Sequence, residues 1–206
     1  MSLDLCLLAD LKTRLKIPST NTNADAELQA LIDQCSTDFH NAVNRTNLFT
    51  QSYTERRDGQ GGRTLVLRNS PIQSIVSLTV SNLVILQSPD GVQPGYVYEQ
   101  AEQGQDISPT LKLVAYRFIP GYGNVLITYT AGFGAQANLT LGDPNFPDDI
   151  ELAVLDWCEL RYRQRPAAGM DSKRLATGES VTYDRREMPD STKRVIEHYK
   201  RRVLMG

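Results

Sequence analysis

The stretch RRDGQGGRTLVL, residues 56–67, packs three glycines into four residues and sets arginines on both sides of them. Two chemistries fit those residue types. A phosphate loop would aim backbone N–H groups at an anion, but it needs G-x-x-x-x-G-K-[ST] running into a helix. Here no lysine stands in place and β-forming residues follow. The tip of a β-hairpin needs residues that tolerate φ > 0, and Asp-Gly and Gly-Gly supply them at little steric cost. Asp58, Gly59, Gly61 and Gly62 therefore read as a hairpin turn, without bound phosphate.

The other chemistry-bearing residues are few. The chain has two histidines, His40 and His198, and neither lies near a recognisable nucleophile motif. His40 falls on a mostly polar helix face and His198 in a basic helix, so both are expected to be solvated. Cys6, Cys35 and Cys158 are far apart in sequence and form no CxxC, which reads as buried reduced thiols rather than a zinc site or a disulfide framework. Asp148, Asp149 and Glu151 could be acid–base or metal carboxylates, but they stand where a helix N-terminus favours negative charge. No catalytic, cofactor-binding or metal residue is assigned, and no enzymatic activity is expected.

The elements that carry these residues are two kinds of grammar in three blocks. Residues 4–16 read as a helix with Leu8, Leu11 and Leu15 at helical spacing, stopped by Pro18. After the loop PSTNTNAD, where Thr22 and Asp25 resemble a capping box, a second helix runs to about Arg45 with Leu28, Leu31, Ile32, Cys35, Phe39 and Val43 on one face. From about residue 51 to 131, short runs rich in Val, Ile, Thr and Tyr alternate with Gly/Pro/Asn turns, an antiparallel β region. Helical grammar returns at FPDDIELAVLDWCELRYRQRP. There the apolar residues go nearly all the way round, and a helix of that kind needs partners on every side. One small subunit supplies those poorly, so Ile150, Val154, Trp157 and Arg161 are expected at contacts between subunits. Residues 166–189 read as an extended arm. The last helix offers a Val195, Ile196, Tyr199 and Val203 stripe beside Lys193, Arg194, Lys200, Arg201 and Arg202.

The 206 residues carry 40% hydrophobic and 22% charged side chains, which suits a globular protein. No apolar run approaches a membrane span, and the N-terminus lacks the basic flank of a signal peptide. Charge is uneven. Residues 1–150 hold ten Lys and Arg against fifteen Asp and Glu, a net −5, and residues 151–206 hold twelve against nine, a net +3. An acidic body with a basic last quarter suggests different partners at two ends.

In this order the features resemble the head–tail connector (adaptor, or head-completion) proteins of tailed bacteriophages. DLKTRLKIP is followed by DAELQALIDQCSTDFHNAVNR, then RRDGQGGRTLVLRNSPIQSIVSLTV, GNVLITYTAGFG and PDDIELAVLDWCELRYRQR, and the resemblance covers roughly residues 4–165. Extra β-rich sequence between about residues 81 and 115 departs from the shorter members. The resemblance implies a structural virion protein at the head–tail junction, assembled in the host cytoplasm. It implies a homo-oligomeric ring, typically twelvefold, that docks under the portal and extends the DNA channel. Genomic DNA would pass without sequence-specific binding, and the ring would present a surface to the next neck or tail protein, a stopper or tail tube. No cofactor, metal or membrane is implied. The C-terminal segment commonly contacts the portal, which points to Val195, Ile196, Tyr199, Arg201 and Val203 as docking residues.

The expected fold class is α+β: a helical bundle of the N-terminal helical hairpin and the C-terminal helices, with a central antiparallel β insertion. The expected divisions are residues 1–50 for the helical hairpin and 51–132 for the β region. Residues 133–165 hold a loop and the central helix, which packs with 1–50, and 166–206 hold the arm and docking helix. Two other functions compete: a stand-alone DNA-binding module using the basic C-terminal helix, and a hydrolase, for which no clustered polar site is visible. A DNA module would bind duplex with a steep salt slope, and a connector only weakly.

Overall fold

A computed structural model describes residues 3–45, 47–99, 109–134, 146–165, 172–174, 180–182 and 187–200. The chain is α+β and divides into two compact units. One comprises Met1–Thr46, Asn138–Asp143 and Pro147–Gly206, the other Asn47–Ala137 and Pro144–Phe146. Among the described residues no helix is long and apolar enough to cross a membrane.

The first unit holds helices α1 (Leu8–Arg14), α2 (Asp25–Ala42), α3 (Asp148–Gln164) and α4 (Asp190–Tyr199). In α2 the residues Leu28, Ile32, Cys35 and Phe39 recur at one face and are buried, the stripe that a 3.6-residue period sends to a core. Its expected capping box is not made. The N-cap is Ala24, with no side-chain cap, and the Asp25 carboxylate instead pairs with Lys12 Nζ at 2.6 Å. Helix α1 is shorter than the 4–16 expected. Residues ahead of it run along α2, where Leu5 N–H donates to Ser36 Oγ at 3.0 Å and the Leu3 carbonyl lies 3.2 Å from His40 Nε2. That strap corrects the reading of His40, which is buried rather than solvated. Burial pulls its pKa below the ordinary imidazole value, against the smaller opposing effect of the Leu3 carbonyl. His198 is exposed, as expected.

All three thiols are free and buried. They lie together, Cys35 hydrogen-bonded to Cys158, and this contact and then desolvation push the Cys35 thiol far above its ordinary range. A thiol so raised stays protonated and unreactive.

The second unit contains seven strands: β1 (Gln51–Gly59), β2 (Thr64–Val66), β3 (Ile72–Val80), β4 (Leu83–Val84), β5 (Gly95–Tyr98), β6 (Thr110–Val114) and β7 (Gly121–Ala131). One sheet has the order β1-β7-β3-β4 and the other β2-β6-β5, with every pairing antiparallel. In β7 the alternate residues Val125, Ile127, Tyr129 and Ala131 point inward. They join Leu78 and Val80 of β3, Tyr96 of β5 and Leu111 and Leu113 of β6 in one apolar cluster. Both sheets thus share a core, as period-two patterning requires. A buried polar group sits at its margin. Tyr129 Oη–H donates to Glu55 Oε1, which also accepts from Arg68 N–H at 3.0 Å.

The glycine turn is not a hairpin tip. Strand β1 pairs with β7 and β2 with β6, so residues 60–63 carry the chain from one sheet to the other. Residues 118–124 supply the turn's partners. Gly61 N–H donates to Phe118 O at 2.6 Å and Phe118 N–H to Gly62 O at 2.8 Å, while Gly59 N–H donates to Asn124 Oδ1 at 2.8 Å. The glycines serve two different ends: Gly61 has φ +81°, and a Cβ on Gly59 would stand 1.9 Å from Ile119 O. Strand β2 follows directly, so no helix N-terminus is available for a phosphate.

Within residues 166–189, β8 (Ser172–Arg174) pairs antiparallel with β9 (Ser180–Thr182).

Candidate docking surface

Helix α3 is the element on which the other three helices pack. Its first turn carries Asp148, Asp149 and Glu151, and its last turn Arg161 and Arg163, each sign at the end where the helix dipole favours it. Asp149 also accepts a hydrogen bond from Tyr199 Oη–H at 3.0 Å. Structural roles account for this acid group.

Ile150 and Val154 are each 0% exposed and Trp157 4%. Their apolar surface is taken up by the chain's own α1, α2 and α4, where the sequence leads one to expect contacts between subunits. Other copies are not needed to cover them. The outward side of α3 carries Leu152, 41% exposed, and the acids Asp156 and Glu159. Arg14 of α1 binds both acids, with Nε 2.7 Å from Glu159 Oε2.

Helix α4 is held in the same way. Ile196 and Tyr199 are buried. Thr192 Oγ1–H donates to Ala153 O at 2.9 Å, and Arg45 Nε–H to Tyr199 O at 3.0 Å. Of the stripe expected to meet a partner, Ile196 and Tyr199 therefore pack within their own unit, while Val195 is half-buried. Lys193 and Lys200 pair with Asp190 and Glu197 of the same helix at 3.0 and 3.1 Å. The DNA-binding reading of this helix accordingly gains no support. Arg201 and Val203 lie outside the described residues.

The sequence-predicted pair Trp157 and Arg161 does meet, at a cleft of about 470 Å³ lined also by Glu187, Met188 and Lys193. The Arg161 guanidinium stands over the indole at 4.6 Å, and its Nη2 binds Asp38 Oδ2 at 2.7 Å. The indole N–H donates to Glu187 O at 2.8 Å, which fixes the chain as it enters α4. Sequence reading did not single out Glu187 or Met188. The one local signal was Pro189, which starts α4 and so obliges residues 187–188 to lie near its entry. Both cations at the cleft are paired within the chain, Arg161 with Asp38 and Lys193 with Asp190. Among the described residues no group of His, Cys, Asp and Glu could hold a metal ion.

The model of the head completion protein family matches residues 5–202, nearly the whole chain. The chain belongs to the head completion protein family. It is a structural component of a phage virion, at the head–tail junction. Two solved structures share the fold. The neck of a native GTA particle, computed with C12 symmetry, contains a chain 17% identical with a TM-score of 0.55, covering 97% of this chain and 91% of that one. The neck of an empty GTA particle, computed with C6 symmetry, contains one 18% identical with the same TM-score and coverage. No curated protein matches the sequence.

Proposed function

We propose that this head completion protein is a ring-forming connector that docks under the portal, extends the DNA channel and links the head to the next neck or tail protein. The family match over residues 5–202 carries the reading. The symmetry of the related necks supports a closed ring, with twelve subunits the number that matches a portal. The four helices form a bundle as its rigid body, and the β unit, lengthened at residues 81–115, meets the distal protein. The divisions 1–50, 51–132, 133–165 and 166–206 then correspond to hairpin, β region, central helix and docking arm.

The packing of α4 shifts the docking role within the arm. With Ile196 and Tyr199 committed inside the unit, contact with the portal falls to Val195, to the outward basic face around Arg194, and to Arg201 and Val203. The rim of the Trp157–Arg161 cleft is the place for contact with a neighbouring subunit. Ending the chain after Lys200 tests this directly, because it leaves α4 whole. The truncated chain should keep its thermal stability and lose attachment to portal-containing heads. Normal attachment would refute the docking assignment.

A further inference from the structure

Strand β4 ends the order β1-β7-β3-β4, and no described strand pairs with its outer edge. The unpaired backbone of an edge is a template for another strand, and natural sheets commonly guard it with charge or proline. Neither guard is present: residues 72–87 contain no charged residue and no proline. Val76, Leu83, Val84 and Leu86 are instead 66%, 54%, 62% and 74% exposed. Pairing sets them along one margin. Leu83 stands opposite Val80 and Val84 opposite Thr79. Ile85 N–H then donates to Leu78 O at 2.9 Å, which carries Leu86 alongside the bulge at Val76. An uncharged apolar edge of high β-propensity is an aggregation hazard until a partner covers it.

The same chain holds two strands that lack a larger sheet. β8 and β9 pair only with each other, and neither packs more than marginally on another described element. Two strands alone are marginally stable in water. β8 reads Ser-Lys-Arg, whereas β9 reads Ser-Val-Thr, β-forming and uncharged, so β9 offers the edge that matches β4. The other strand edges suit it less. β1 is charged from Glu55 to Asp58, Val66 O of β2 accepts from Arg57 Nη2 at 3.4 Å, and Tyr96 of β5 exchanges hydrogen bonds with Leu86 and Ser88. Two copies of β4 could pair, but that contact is two-fold, and a cyclic ring is built from heterologous contacts. The place of β9 in the chain also fits. Four residues separate Thr182 from Glu187, whose carbonyl accepts from the Trp157 indole at 2.8 Å. Thr182 therefore stays within about 18 Å of Glu187, close to the cleft rim assigned above to a neighbouring subunit.

We propose that β9 of one subunit adds as a strand beside β4 of the next, so that the order β1-β7-β3-β4 continues into the neighbour's β9-β8. The contact rests on the ring reading above. It is heterologous, as ring closure requires, and it uses main-chain pairing for affinity and the Val76, Val84 and Leu86 margin for fit. The segment beyond Lys200 stays available to the portal.

The test is a cross-link in full-length chain assembled on portal-containing heads. Cross-strand neighbours, direct or diagonal, lie within about 8 Å, so a bis-maleimide of that span joins cysteines placed on adjacent strands. The three native thiols are buried, and the wild type should stay unlinked. V84C/V181C should give a ladder of linked subunits, and neither single variant should. Dimers from V84C alone would show β4 paired with β4, and a link closed within one chain would place β9 on its own sheet; either overturns the proposal. Heads that carry a ring of V84C/V181C without links sink the proposal and leave the ring reading standing, whereas wild-type heads without a ring sink both. Val84→Lys gives a second readout free of cross-linker. The site is exposed, so its thermal transition should match that of the wild type, while ring formation on heads is lost. Complete Val84→Lys rings would overturn the proposal, and complete rings that fail to join tails would assign the edge to the next neck protein instead.

Discussion

Replacing Ile196 by aspartate separates two readings of the C-terminal helix. If the Ile196 stripe waited for a partner, the isolated chain would scarcely notice the change. In the structure Ile196 is 6% exposed and Tyr199 3%, so the substitution removes a buried aliphatic group and puts a carboxylate in its place. The loss of the side chain alone costs about 2–4 kcal/mol, and desolvating the new charge adds several more. The total has a ceiling, because α4 can detach. Detachment gives up burial of Ile196 and Tyr199, about 1.5–3 kcal/mol each. It also breaks the Thr192–Ala153, Tyr199–Asp149 and Arg45–Tyr199 hydrogen bonds, about 1 kcal/mol apiece. The expected cost is therefore several kcal/mol, capped at about 6–9 kcal/mol by release of α4, and is seen as early release of that helix rather than unfolding of the β unit. Lys193→Ala, which breaks only an exposed pair within the helix, should cost less than about 1 kcal/mol. Urea titration of the isolated chain, with limited proteolysis near Pro189, measures both. A wild-type midpoint and intact chain for Ile196→Asp would refute the packing of α4 and return the stripe to a partner.

Three further outcomes follow from single sites. Alanine at Gly59 should cost most of the turn glycines, about 1–3 kcal/mol by overpacking against Ile119 O. Gly61→Ala should cost about 1 kcal/mol through its φ of +81°, and Gly62→Ala almost nothing, since its Cβ position is open; thermal melts giving another order would contradict the crossover geometry. The depressed pKa of His40 means that the unfolded chain takes up its proton first as pH falls. The His40 contribution is thus fully present above about pH 6.5, the unfolded value, and is lost as pH drops through the folded one. His40→Gln should flatten that part of the stability–pH curve, and an unchanged curve would count against burial. Tyr129→Phe removes the proton donated to Glu55 and should cost about 1–3 kcal/mol, read by denaturant titration, because a buried acceptor loses its partner. A neutral effect would show that water replaces it.

Local patterns were legible where a residue's role depended on its neighbours in sequence. The 28–32–35–39 stripe of α2 and the 125–127–129–131 alternation of β7 each name the face that is buried. The acids at the start of α3 were legible for the same reason. What failed needed long-range partners. A glycine turn declares its backbone conformation but not which strand it pairs with, so the crossover between sheets passed for a hairpin. His40 lies on a face that is polar by composition, and only the return of residues 3–5 across α2 buries it. The all-round apolar surface of α3 correctly demanded partners, but composition alone could not say that α1, α2 and α4 would fill the demand. At the cleft, Trp157 and Arg161 were visible as large residues one turn apart. Glu187 and Met188 complete it through the chain's return into α4, which leaves no periodic trace.

The central claim concerns assembly, and a reconstruction of the neck of particles containing this chain tests it most directly. The expected result is a closed ring of identical subunits beneath the portal, with a central channel continuous with the portal's and the segment beyond Lys200 at the portal interface. A chain found dispersed over the head surface, or single at the neck with no ring around the channel, would contradict it.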